Sequence, residues 1–142
     1  HAIYVKDWQG RFILANQAFA DFLGTTPEGV IGKTERDFVP NPEEAEEFVR
    51  HDRQVIESLK THHFDNIFTT PTGEVVYLQT TKTPIFTDNG RNTYVLGVSS
   101  DVTPIKQAEI TMREAAEAAE SANRAKSEFL ASIIYLPSTH LY

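Results

Sequence analysis

Residues 64–101 read FDNIFTTPTGEVVYLQTTKTPIFTDNGRNTYVLGVSSD. Three runs rich in β-branched and aromatic residues, 64–70, 74–86 and 93–101, are separated only by Pro71-Thr72-Gly73 and Asp88-Asn89-Gly90. Turn residues so few in number between runs so long predict antiparallel neighbours, and hence a three-stranded meander. Upstream, AIYVK (2–6) and RFILA (11–15) flank Asp7-Trp8-Gln9-Gly10 and predict a hairpin. The sheet therefore has five strands.

Between the hairpin and the meander the period changes from two to 3.6 residues. Asn16 precedes Ala18, Phe19, Phe22 and Leu23, which share a helical face, and Gly24 is a stop. Thr26-Pro27-Glu28 starts a second helix that Gly29 and Gly32 keep short, and 34–38 has room for one further turn. The clearest helix begins after Asn41, with Pro42 in first position and Glu43 and Glu44 at the positive end of its dipole. It should run to about Lys60, burying Ala45, Phe48, Val49, Val55, Ile56 and Leu59, with Asp52 inside that apolar stripe. His62 and His63 are placed at its end, where imidazolium suits the dipole. The fold class is α+β: a five-stranded antiparallel sheet with helices on one face.

From Pro104 the composition shifts to alanine, Glu and Arg without glycine, eight alanines falling between Ala108 and Ala131. Residues 104–133 predict a single helix roughly 45 Å long. Ile105, Ala108, Met112, Ala115, Ala119, Ala122, Lys126, Phe129 and Ile133 alternate at spacings of three and four, which is a coiled-coil seam for a parallel homodimer. A register through Thr111, Ala118 and Ala125 fits nearly as well. Glu109 with Arg113 and Glu120 with Arg124 are i,i+4 pairs in the favourable order. Pro137 should end the helix.

One core is what 142 residues with nine Phe can bury, so a domain with an appendage is expected. A formal charge of −7 opposes attraction to phosphates, and neither nucleic acid nor anionic membrane is an expected partner. No apolar run approaches the roughly 18 residues of a spanning helix. The absence of cysteine excludes disulfides, thiolate metal sites and cysteine nucleophiles, and fits the cytoplasm. There is no Gly-rich phosphate loop and no nucleophile paired with a base.

Over residues 2–103 the chain resembles PAS domains. The resemblance rests on Asp7-Trp8-Gln9-Gly10-Arg11 with Ala15-Asn16-Gln17-Ala18-Phe19, then Val30-Ile31-Gly32-Lys33, Asp52-Arg53-Gln54-Val55, Thr81-Lys82-Thr83-Pro84-Ile85 and Leu96-Gly97-Val98-Ser99-Ser100-Asp101-Val102-Thr103. The later helix, through Ala125-Lys126-Ser127-Glu128-Phe129-Leu130-Ala131-Ser132, resembles the linker into the dimerisation domain of sensor histidine kinases. After Ile133 the likeness ends: no His-Glu pair follows, and 134–142 is a non-matching tail, consistent with a cloning or frameshift product. Three segments result: a sensor domain (1–103), a signalling helix (104–133) and the tail. The expected function is a sensory and dimerisation module of a signal-transducing histidine kinase, itself not an enzyme, since the phospho-accepting motif and ATP-binding domain are missing. Its partners would be a second copy, the kinase domains of the parent protein and a small ligand. The alternative is a ligand-free PAS dimerisation module of another transducer.

The resemblance also implies where a ligand would sit. Phe68, Leu78, Thr80, Val95, Gly97 and Ser99 should face the helices, with Asp52 opposite them; Tyr77, Leu96 and Val98 should face outward. For each of these, core packing is the competing reading. Asp101 and Thr103 form the junction to the helix, as cap and signal relay, with Lys82 a candidate partner for Asp101. Light-sensing relatives hold flavin through a cysteine, which this chain lacks, so that photochemistry is excluded. No cofactor and no metal are expected. His51, near where some haem-binding relatives carry the proximal ligand, lies at the border of the apolar stripe and reads as a surface histidine.

Overall fold

The computed structural model describes residues 1–87 and 92–140, with side chains through residue 134. The elements are β1 Ala2–Lys6, β2 Phe12–Ala15, α1 Gln17–Leu23, α2 Pro27–Val30, a 3-10 turn Glu35–Asp37, α3 Pro42–Ser58, β3 His62–Thr69, β4 Val75–Phe86, β5 Thr93–Asp101 and α4 Thr103–His140. The strands form one sheet in the order β2-β1-β5-β4-β3. Each neighbouring pair is antiparallel. Thus β1 lies between its hairpin partner and the last strand. The expected Asp88-Asn89-Gly90 turn lies outside the described residues.

Local chemistry sets the helix starts. The Asn16 side chain accepts from Phe19 N (2.9 Å) and from Ile3 N (3.0 Å), capping α1 and fastening it to β1. Thr26 accepts from Gly29 N, and Asn41 from Glu43 N. Gly24 closes α1 in the left-handed region at φ 70°. Leu59 closes α3 in the same conformation at φ 56°, so the helix ends before Lys60 and Leu59 is carried off the apolar stripe, 52% exposed. His62 and His63 belong to β3, not to the helix end. His62 still reaches back to the last turn of α3, its Nε2 lying 2.7 Å from Ser58 Oγ.

The core lies between the sheet and the helices. Tyr4, Phe12, Phe68, Val76 and Leu78 from the strands meet Phe19, Leu23, Val30, Ala45 and Phe48 from the helices, and Val55 and Val95 are also buried. The period-2 alternation holds over residues 75–82 of β4 and 94–100 of β5, leaving Tyr77, Leu96 and Val98 half-buried on the other face. Rings of Tyr4, Phe12 and Phe19 stand 4.6–5.7 Å apart at their centroids.

A second unit begins at Pro104. Its helix is continuous to His140, past Pro137 where the sequence predicted a stop. A proline costs a helix one N–H bond and crowds one carbonyl, but its own φ is helical, so it need not terminate the helix. Arg124 pairs with Glu120 at 3.4 Å, whereas Glu109 lies by Lys106 (4.0 Å).

Gly97 pairs with Tyr4 across β1 and β5, and the Tyr4 ring occupies the space a Cβ on Gly97 would need. Gly97→Ala should therefore cost about 1–3 kcal/mol through overpacking, read as a lower urea midpoint at constant m. An unchanged midpoint would mean that Tyr4 has room to move.

Candidate functional site

Two lysines point into the core. Lys6 on β1 and Lys82 on β4 are 1% and 2% exposed, because strand alternation puts them on the same face as Tyr4 and Thr80. An unpaired buried ammonium is prohibitively costly, so carboxylates must meet them. Asp52, on the buried stripe of α3, accepts from both: Oδ2 from Lys6 Nζ at 2.7 Å and Oδ1 from Lys82 Nζ at 2.6 Å. Glu35, on the 3-10 turn, makes a second ion pair with Lys6. That turn is held by Thr34 N donating to Asp37 Oδ2 at 2.8 Å. Lys82 also donates to the Phe48 carbonyl at 3.4 Å. Two cations and two carboxylates, from β1, β4, α3 and the 3-10 turn, thus balance inside the domain.

Burial pushes the Asp52 carboxyl up, but the ammonium groups of Lys6 and Lys82 outweigh it and hold it below the ordinary carboxylate range. Burial pulls Lys6 down, yet Asp52 and Glu35 prevail and raise it. For Lys82, burial and repulsion from Lys6 prevail over the same carboxylates and lower it. Sequence reasoning singled out Asp52 but missed Lys6 and Glu35. Lys6 was detectable as the third inward position of the Ala2-Tyr4-Lys6 alternation, whereas nothing local marks Glu35. Lys82 is not Asp101's partner: in the β4–β5 register it stands opposite Gly97, while Asp101 stands opposite Leu78.

Beside the ion cluster lies a cavity of about 30 Å³, room for a water or two. Of the expected pocket residues, Phe68, Leu78, Thr80 and Ser99 line it, and so do Asn66 and Lys82. Asp52, Val95 and Gly97 are buried but do not line it. Thr80 and Ser99 hydroxyls bond each other at 2.8 Å. The Asn66 Oδ1 is buried with no hydrogen-bond partner among the described residues.

His51 stacks on Phe64, with ring centroids 3.9 Å apart, and its Nε2 lies 3.6 Å from Glu47. Burial, reinforced by Lys82, pushes its imidazole below the ordinary range. It is outside the cavity lining. No group of three His, Cys, Asp or Glu able to hold a metal occurs among the described residues. Among those residues, no helix is long and apolar enough to cross a membrane.

At the junction, the Asp101 side chain accepts from Thr103 N at 2.9 Å, satisfying a free N–H of the first turn of α4. The Thr103 hydroxyl does not cap the helix; it accepts from Tyr77 N at 2.9 Å. Val102 N donates to Tyr77 O at 2.9 Å, so both backbone groups of Tyr77 grip the junction. The seam residues Ile105, Ala108, Met112, Ala115, Ala119, Ala122 and Phe129 are exposed on α4.

An antiparallel sheet with α1, α2 and α3 on one face and a small cavity between the layers defines a two-layer α+β class of domain. The chain belongs to the PAS fold family, whose model matches residues 1–107. It is 30% identical over 133 residues to the virulence sensor protein BvgS of Bordetella pertussis, covering 92% of this chain and 11% of BvgS. The solved PAS domain of that protein matches with TM-score 0.62 and 26% identity, over 82% of this chain and 88% of that one. The C4-dicarboxylate transport sensor protein DctS of Rhodobacter capsulatus is 29% identical over 72% of this chain and 16% of its own length. VqmA of Vibrio cholerae, solved in a ligand and DNA complex, matches with TM-score 0.66 and 30% identity, over 72% of this chain and 46% of that one. The chain spans only about a tenth to a sixth of the curated relatives' lengths.

Asp52→Ala should cost about 3–5 kcal/mol at neutral pH, because it strands two buried ammonium groups. By contrast Arg36→Ala, which breaks an exposed pair with Glu46, should cost no more than about 1 kcal/mol. Since the folded Asp52 titrates below its unfolded value of about 3.9, its contribution is complete above that pH and is lost as pH falls through the lower folded value. Urea unfolding at pH 7 and pH 3 should find the gap between wild type and Asp52→Ala narrowing in acid. A gap that is small at pH 7, or equal at both, contradicts the assignment.

Proposed function

We propose that this chain is the sensory and dimerisation module of a cytoplasmic signal-transducing histidine kinase, relaying the state of its core into a dimeric helix. The observation that carries this is the double grip of Tyr77 on Val102 and Thr103. A shift of β4 must move the first turn of α4, because both the donor and the acceptor of one β4 residue hold it. Lys82, on the same strand, is held by Asp52 of α3, so displacement of α3 is transmitted along β4. Two relatives named as sensors support the reading. The exposed seam of α4, with Ile105 at 62%, Met112 at 73% and Phe129 at 64%, supports a parallel helix pair. Alanine contacts bury little area, so the pair is weak. The smallness of the cavity favours a second reading, a ligand-free dimerisation module that answers to a partner protein.

Asp101→Ala removes one cap, at a cost of about 0.5–2 kcal/mol, and leaves the core folded. The chain has no cysteine, so Glu117→Cys on α4 gives a single spin label per copy. The expected outcome is a shifted label-to-label distance in the Asp101→Ala dimer. Identical distances with a folded core make Asp101 a plain cap and contradict the relay; monomer alone at high micromolar concentration contradicts the helix pair.

A further inference from the structure

One residue before Asp52, α3 presents to the edge strand β3 a histidine whose surroundings have no place for a proton. His51 is 15% exposed, and its ring lies flat on Phe64 of β3, 3.9 Å between centroids and 12° between planes. Its Nδ1 is buried with no hydrogen-bond partner among the described residues. The other nitrogen, Nε2, lies 3.6 Å from the half-exposed carboxylate of Glu47, one turn back on the same helix. We propose that His51 is a proton-operated release for the contact between α3 and β3, making mild acidification an input to this domain. This rests on the sensory reading above and names its signal.

Contacts at the start, middle and end of α3 hold it to β3. At the start the Glu44 carboxylate accepts from Thr69 N at 2.6 Å and from the Thr69 hydroxyl at 2.7 Å. In the middle is the His51–Phe64 stack, and at the end His62 lies 2.7 Å from Ser58 Oγ and 3.3 Å from Gln54 Nε2. The two histidines differ in what a proton does to them. Gln54 can turn its amide and offer His62 an acceptor, because a side-chain amide carries donor and acceptor at one end. At His51 a proton makes both ring nitrogens donors, and the N–H at Nδ1 then points at nothing that can accept.

The charges around His51 add to that cost. From β4 comes the Lys82 ammonium, from α3 itself Arg50, Glu47 and Asp52, and from β3 the Phe64 ring with His62 beyond it. Glu47 and Asp52 attract an imidazolium, but the Asp52 oxygens are already taken by Lys6 and Lys82. The face of Phe64 attracts a cation too, yet a flat stack leaves the Nδ1 N–H buried. Burial and Lys82 prevail, and the fold keeps the imidazole neutral to a pH below its ordinary range. The unfolded chain takes up the proton near pH 6.5, so the contribution of the stack is complete above that value and is lost as pH falls from it toward the lower folded value. To satisfy both N–H groups the ring must swing out to Glu47 and water, which ends the stack on Phe64. Asp52, held below the carboxylate range, stays ionised meanwhile, so α3 remains tied to β4 while its hold on β3 loosens.

Amide hydrogen exchange of the whole chain, followed by NMR at pH 7.5 and pH 5 and corrected for intrinsic rates, reads the release residue by residue. Protection in residues 48–58 and 62–68 should fall about tenfold relative to β1 and β5, the factor that one proton contributes over a pH unit. His51→Phe keeps a ring on Phe64 and removes the proton site, so the fall should vanish; His51→Leu serves if circular dichroism finds the phenylalanine variant unfolded. His62→Gln should retain the fall. Equal protection at the two pH values in the wild type, a fall that survives loss of the His51 imidazole, or a fall that His62→Gln abolishes overturns the proposal. Spin-label distances taken at the same two pH values test the relay separately: a loosened α3–β3 contact with unchanged distances contradicts the relay and leaves the release in place.

Discussion

Two ammonium groups buried in one small domain are the constraint around which the rest of this fold is arranged. Neither Lys6 nor Lys82 can reach water, and each must find a carboxylate whose own burial is offset in turn. Asp52 meets this requirement by bridging the two, one oxygen to each, and Glu35 supplies the second negative charge. Strand order follows the same demand. The two lysines come from strands separated by β5 in the sheet, so Asp52 can touch both only if α3 lies across β5. A buried ion cluster is a weak source of net stability but a strong source of geometry, because breaking it leaves charges unpaired. Here it fixes where α3 sits on the sheet.

That placement connects the core to the outgoing helix. Lys82 is five residues along β4 from Tyr77, whose two backbone groups hold Val102 and Thr103. A strand is stiff along its length, and antiparallel ladders on both sides hold it in register, β3 on one and β5 on the other. The packing of α3 and the bonds to Val102 and Thr103 therefore share one strand. Two sites biasing a single element is what the proposed relay requires. α1 is tied into the same frame, because Asn16 fastens it to β1, the strand that carries Lys6.

Much of this was legible in the residues. The family resemblance implied which side chains face the helices, and Phe68, Leu78, Thr80, Val95, Gly97 and Ser99 are buried accordingly. Asp52 stood out because a carboxylate inside an apolar stripe demands a partner. The identity of that partner was not legible, since sheet order brings β1 and β4 to either side of β5 and no local pattern encodes that. Glu35 was invisible for a related reason: a three-residue 3-10 turn has no period to read. At the junction both Asp101 and Thr103 were candidates for the cap, with Lys82 a candidate partner for Asp101; in the structure Asp101 caps, Thr103 bonds β4 and Lys82 is elsewhere. Both are short polar side chains that favour capping positions, and only the strand register decides between them.

The central claim is that Asp52 and Lys82 act as one unit joining α3 to the sheet, and a double-mutant cycle measures this directly. Stabilities of wild type, Asp52→Ala, Lys82→Ala and the double variant, taken from urea unfolding at pH 7, give the coupling energy. The account predicts strong non-additivity, with the double variant much less destabilised than the two single costs together, by a margin of about 1–3 kcal/mol. Costs that add within about 0.5 kcal/mol would contradict it, because they would mean that Asp52 and Lys82 do not act as a unit in holding α3 to β4.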